Sequence, residues 1–197
     1  MSGVVGSKLN IRGSGLVGSL GTDGQHLLSA GAGVSNVFES VSAGGISVAS
    51  QWRITTGFAG DADPISSNWE EADAPTSFGV LGSSMTESSG VFTFPSTGYW
   101  LIMPQVRQVS GTTDGWGYVN VLTTHDNSTY TTGSNAAAYA TGGHYQTATA
   151  HYIFDVTDTS NCKCSIGYWQ FTHNSNTIDG DSNFQRSGVT FIRLADT

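Results

Sequence analysis

Three acidic groupings, Asp61-Ala-Asp63, Glu70-Glu71 with Asp73, and Asp179-Gly-Asp181, place carboxylates close enough in sequence to share a cation or a proton. A hard cation wants several oxygen ligands from one loop, and each grouping offers part of a shell without following a calcium-loop pattern. Asp-Gly and Asn-rich stretches also favour turns for local reasons, so solvated turns are the expectation. Glycoside hydrolysis needs two carboxylates across an open sugar groove, and Glu70, Glu71, Asp73, Asp114 and Asp126 are equally eligible, so the sequence selects no pair. His26, His125, His144, His151 and His173 occur among many serines, but no Gly-x-Ser-x-Gly elbow presents a nucleophile to any of them. Gly13-Ser-Gly-Leu-Val-Gly18 has the dinucleotide-binding spacing and Glu39 follows downstream, yet Gly21 and Gly24 interrupt the helix that would carry the pyrophosphate. No cofactor is therefore expected. Cys162 and Cys164 stand two apart in a strand-like run, which puts both side chains on one face and makes a bridge between them strained. They are read as free thiols, since the nearest histidine is His173 and no zinc-knuckle spacing surrounds them. Trp69, Trp116, Tyr130, Tyr139 and Tyr145 are the aromatics near loops that could stack on sugars or touch another protein; the alternative is core. Trp116 and Tyr118 alternate with Gly115 and Gly117, and at least one of the two rings is expected to be buried at a sheet or subunit interface.

The elements that must position these residues are strands. Charged residues are only 11% of the 197, against roughly a quarter in an average soluble domain, and Gly, Ser, Thr and Asn take their place. Helical periodicity is nearly absent, and the Ala-rich run at 135–139 is too short and is fenced by Gly133, Gly142 and Gly143. Residues 51–56, 90–95, 99–109, 115–124, 144–156, 162–171 and 188–194 are rich in β-branched and aromatic side chains and bounded by turn residues. Short strands with turns between them predict an all-β sandwich, jelly roll or barrel.

The first 45 residues differ: they are glycine-rich, hold one aromatic, Phe38, and scatter the aliphatics Leu9, Ile11, Leu16, Val17, Leu27 and Leu28. Such a segment cannot close a core alone and is expected to order itself on another surface or by winding with identical copies. Ser42-Ala-Gly-Gly45 is the expected hinge, dividing the chain into residues 1–45 and 46–197. The net charge of −8 lies wholly in the second part, because Lys8 and Arg12 balance Asp23 and Glu39 in the first. The remaining basic residues are single, so neither nucleic acid nor an anionic membrane is an expected partner. No apolar run reaches the ~20 residues needed to span a bilayer, and the N-terminus lacks a secretory pattern, so synthesis in the cytoplasm is expected.

Two stretches, Gly90-Val-Phe-Thr-Phe-Pro-Ser-Thr-Gly-Tyr-Trp-Leu-Ile-Met-Pro-Gln-Val106 and Ser187-Gly-Val-Thr-Phe-Ile-Arg-Leu194, resemble the jelly roll of complement globular heads and tumour necrosis factors. Trp52, Tyr152-Ile-Phe-Asp-Val156 and Cys164-Ser-Ile-Gly-Tyr-Trp169 fall where the family's other core strands would lie. The resemblance covers roughly residues 50–197 and implies a jelly roll that forms a tight threefold trimer with its N-termini together, a binding rather than catalytic protein. Upstream, Gly21-Thr-Asp-Gly-Gln-His-Leu-Leu-Ser-Ala-Gly-Ala-Gly-Val-Ser-Asn-Val-Phe-Glu39 is similar to a recurring segment of phage fibre proteins. His26 stands where an aliphatic is usual there, and Asn36-Val37 replaces a proline.

The reading is a non-enzymatic phage virion protein: a Gly-rich extended N-terminal segment followed by a complement-head/tumour-necrosis-factor-like jelly-roll head exposed on the virion surface. Tyr99, Tyr118, Tyr168 and Phe191 are the expected homotrimer contacts, and Leu9, Ile11, Leu16, Leu27 and Phe38 the expected contacts to other virion proteins, capsid or tail. As a capsid decoration or knob the head would stabilise or cover the shell; as a short fibre it would bind a host surface glycan or protein. The alternatives are a carbohydrate-active depolymerase on a β scaffold and a cellular complement-like adhesin.

Overall fold

A computed structural model of the chain describes residues 22, 25–28, 37–40, 45–73, 80–111, 115–171 and 176–197. The 13–18 glycine motif and the expected attachment residues Leu9, Ile11 and Leu16 lie outside them. The chain divides into two units, Met1–Gly45 and Ile46–Thr197. In the first, β1 (Gln25–Leu28) pairs antiparallel with β2 (Val37–Ser40), so the segment expected to be extended contains a two-stranded pairing in which Leu27 stands directly opposite Phe38.

The second unit is built from β3 (Ala49–Ile54), β4 (Phe58–Ala59), β5 (Trp69–Glu71), β6 (Thr86–Ser88), β7 (Val91–Thr93), β8 (Gly98–Ser110), β9 (Gly115–Thr124), β10 (Thr131–Ala140), β11 (Tyr145–Thr149), β12 (Tyr152–Val156), β13 (Lys163–Gln170), β14 (Asn176–Ile178) and β15 (Gly188–Ala195). One sheet has five strands in the order β10-β9-β13-β7-β6; the other has eight, β4-β14-β8-β15-β3-β5 with β11 and β12 also on β8. Their inner faces meet in one core. Trp100, Ile102, Val106, Val189, Phe191 and Ile54 come from the larger sheet, and Phe92, Val119, Val121, Ile166 and Tyr168 from the smaller. Phe92 centres the contact, with ring centroids 5.1 Å from Phe191, 5.1 Å from Trp69 and 5.6 Å from Trp52. Trp69, one of the loop-proximal aromatics, is thereby packed against the core and donates its indole N–H to the Ile65 carbonyl at 2.7 Å.

The run read as a single strand over 144–156 is two strands in one line, both on β8. The gap between them falls at Ala150 and His151, where Ala150 N–H bonds to the Pro104 carbonyl at 3.1 Å. Pro104 has no amide to return the bond, so the ladder breaks at that pair. The Ala-rich run, rejected as a helix, forms the outer part of edge strand β10.

β8 runs from Gly98, beside the end of β15, to Ser110; β3 starts opposite Ile192 of β15. The chain therefore enters and leaves this unit at one end, and Ser110, Gly115, Ala140 and Gln170 lie at the other.

Candidate functional site

Two of the three acidic groupings are tied into ion pairs with arginines. The fully buried Arg53 of β3 pairs with Glu70 of β5 at 2.9 Å and with Asp73, tying an edge of the larger sheet together. Asp179 takes Arg186 at 3.2 Å and Arg107 at 3.4 Å, and Asp181 takes Arg186 at 3.0 Å. Among the described residues no group of three or more His, Cys, Asp and Glu side chains is placed to hold a metal ion. Cys162 and Cys164 are free and buried; Cys162 Sγ lies 3.4 Å from His125 Nδ1, and burial pushes the Cys164 thiol well above its ordinary value.

Between the sheets, near the far end, sits a buried polar group of four side chains. The Tyr168 hydroxyl donates to Gln108 Oε1, Asn176 Nδ2 donates to the same oxygen at 3.2 Å, and Gln108 Nε2 donates to the Ala138 carbonyl at 2.7 Å. Gln170 joins through Nε2 to the Asn176 carbonyl at 3.1 Å. This group explains the glycines of β9. A methyl on Gly117 would overlap Gln108 and the Tyr168 hydroxyl, and one on Gly115 would overlap Asn176, so the glycines face inward. The rings of Trp116 and Tyr118 point outward, Trp116 exposed and Tyr118 half-buried, so neither is enclosed between the two sheets. Two expected trimer contacts differ from expectation. Tyr168 and Phe191 are fully buried within their own chain's core and offer no surface to another copy.

Two outer faces remain. On the eight-stranded sheet, β8 alternates strictly, with Tyr99, Leu101, Met103, Gln105, Arg107 and Val109 facing out. Leu101 is flanked in register by Ile153 of β12 on one side and Ile192 of β15 on the other. Three aliphatic side chains thus stand abreast, with Tyr99 and Met103 on either side of Leu101 along β8, and Ile153 is 58% exposed. The sequence carried a signal for this face: Tyr99-Trp-Leu-Ile-Met103 is apolar at both parities, the mark of a strand covered on both sides.

On the five-stranded sheet the outward positions form rows across β10, β9 and β13. The first row is Tyr139, Trp116 and Phe171, the second Ala137, Tyr118 and Trp169, the third Asn135, Asn120 and Gly167. Ring centroids are 5.0 Å apart for Trp116 and Tyr139, 5.0 Å for Tyr118 and Trp169, and 5.8 Å for Trp169 and Phe171. Trp116, Trp169 and Phe171 are 42, 40 and 62% exposed. Asp63 lies over Gly167, where a methyl would overlap its carboxylate, and accepts a bond from Asn120 Nδ2 at 3.4 Å. Burial, its largest influence, raises the Asp63 carboxyl above its ordinary range. Tyr99 and Tyr118 thus stay at the surface, but on opposite sheets; Leu27 is exposed on β1 and Phe38 half-buried on β2. Trp169 and Phe171 were missed beside Tyr168 because adjacent strand residues point to opposite faces and sequence does not say which is inside.

No protein-family model matches the chain, and no curated protein matches it in sequence. Solved structures do resemble it. The Eiger tumour necrosis factor from S. frugiperda aligns with a TM-score of 0.56 at 12% identity, covering 78% of this chain and 96% of that one. Murine APRIL at pH 5.0 aligns at 0.52 and 12% identity, covering 75% and 99%, and at pH 8.5 at 0.51 and 10%, covering 75% and 98%. The fold is the tumour-necrosis-factor-like jelly-roll sandwich.

Proposed function

We propose that this chain is a non-enzymatic virion structural protein of phage type, whose head, residues 46–197, is a homotrimer exposed on the particle surface. The observation that carries the reading is the aliphatic row Ile153, Leu101 and Ile192 with Tyr99 and Met103 beside it. Soluble monomers rarely leave contiguous apolar faces open, and a sheet face of aliphatic side chains suits permanent association between copies. The jelly-roll fold supports it, since the sequence resemblance to that family implies a threefold assembly. The likeness of residues 21–39 to phage fibre segments supports attachment through residues 1–45 to other virion proteins. A binding role is favoured over hydrolysis because Glu70 and Asp73 are held by Arg53, and Asp179 and Asp181 by Arg186, rather than facing each other across a groove.

Light scattering on the full chain and on residues 46–197 tests the assembly. Three copies in both are expected; a head that stays monomeric at micromolar concentration sinks the reading, since a stable interface buries about 1,200–2,000 Å². Antibody against the head should label the surface of intact particles, and its failure to label them removes the virion assignment.

A further inference from the structure

The aromatic face belongs to the five-stranded sheet, the aliphatic row to the eight-stranded one, and Trp116, Trp169 and Phe171 remain open to solvent on the former. Five rings, Tyr139, Trp116, Phe171, Tyr118 and Trp169, occupy two adjacent rows, and the next row along the same strands is polar. Asn120 and Asn135 carry amides, which donate and accept, and the Asp63 carboxylate hangs over Gly167, which has no side chain to block it. The face lies toward the end of the head opposite to where the chain enters and leaves it.

We infer that this face is a saccharide-binding platform for an uncharged glycan chain. A pyranose is amphipathic in the same layout: one flat face of C–H bonds and a rim of hydroxyls. Ring faces accept the C–H side, and an amide and carboxylate row one residue pair away meets the hydroxyls. An apolar protein partner would not call for that polar row. The charge pattern selects among glycans. The outward positions of the three rows hold no Lys or Arg, the Asp63 carboxylate stands over the third row, and the chain carries −8, so a sulfated or sialylated polymer would be repelled. The platform goes beyond the trimer reading, because it is complete within one copy and would bind whether or not the head assembles.

Affinity electrophoresis of the full chain through gels containing neutral glucan, mannan, galactan or N-acetylhexosamine polymers tests it, with dextran sulfate as the charged control. Retardation by at least one neutral polymer and none by dextran sulfate is expected. Trp169→Ala and Trp116→Ala, both exposed and so compatible with folding, should each weaken that retardation by about tenfold or more, with the circular dichroism spectrum and light-scattering mass unchanged. Asn120→Ala should weaken it as well, which a purely hydrophobic contact would not. Absence of retardation by every neutral polymer overturns the proposal, as does retardation indifferent to the tryptophan substitutions. Loss of the oligomer in Trp169→Ala also overturns it and makes the face a contact between copies.

Discussion

The hydroxyl of Tyr168, on β13 of one sheet, donates its hydrogen bond to Oε1 of Gln108, on β8 of the other. The two layers are therefore joined by a buried polar contact as well as by apolar packing. Burial is the main reason that the phenol is pushed from its ordinary 10.0 up to about 12, with Asp61 raising it further and the Asn176 bond opposing. A raised value in the folded state means stability that is fully present below pH 10 and lost as pH climbs from 10 to 12. Tyr168→Phe removes the donor and leaves Gln108 and Asn176 short of a partner, so urea unfolding at neutral pH should give a loss of about 1–3 kcal/mol. The same variant should lose its share of the alkaline decline, and an unchanged alkaline limb would assign that decline to other groups.

Phe92 bridges the sheets by packing alone. From β7 it meets Trp52, Trp69 and Phe191, which belong to β3, β5 and β15 of the other sheet, and none of its surface is exposed. Truncation to alanine leaves a cavity between three aromatic rings that cannot collapse, and the expected cost in chemical denaturation is about 3–5 kcal/mol. Phe92→Leu, which keeps most of the volume, should retain the larger part of that stability.

These two residues also mark what sequence could and could not reveal. Phe92 sits in a Gly-x-Phe-Thr-Phe-Pro motif whose spacing was legible, and β9 was read from Gly115 to Thr124 as it stands. β8 is legible within one residue at each end because its run of aromatic and β-branched residues is long and follows a Pro-Ser-Thr-Gly turn. Tyr168 was placed on the surface because parity along a strand is relative: Tyr168 and Trp169 exchange roles with a one-residue slip, and only Gln108, distant in sequence, settles which is inside. β10 is hidden in the sequence because Gly133, Asn135 and the three alanines that follow have little strand preference; the pairing with β9 imposes the extended form. The aromatic rows belong to the same class of fact, since Trp116 and Phe171 are neighbours only through the β9–β13 register.

The aliphatic row makes a sharp mutational expectation. Leu101 faces outward between Ile153 and Ile192, so Leu101→Asp places a charge at the centre of the proposed contact while leaving the inward residues of β8 untouched. Circular dichroism should report an intact fold, and light scattering should fall from three copies to one. Tyr99→Ala, at the entry end of the same strand, should loosen the assembly less. An undiminished mass for Leu101→Asp would move the interface to another surface.

Acid should weaken the turn between β9 and β10. Asp126 accepts the backbone N–H of Thr129 at 2.7 Å and of Ser128 at 2.9 Å, and the Thr124 hydroxyl at 2.7 Å. These donors hold its carboxyl well below the ordinary 3.8, the Thr129 bond contributing most. A depressed folded value means that the stabilisation is present above 3.8 and is lost as pH falls from there toward the folded value. Asp126→Asn keeps an oxygen in place but removes the charge that strengthens the bonds, so it should lower the melting temperature at neutral pH and flatten its decline below pH 4. Because the carboxyl is exposed, added salt should narrow the gap between the two proteins. A parallel pair of melting curves down to strongly acidic pH would show instead that the turn is held by its backbone conformation, in which Asn127 already adopts a φ of 56°.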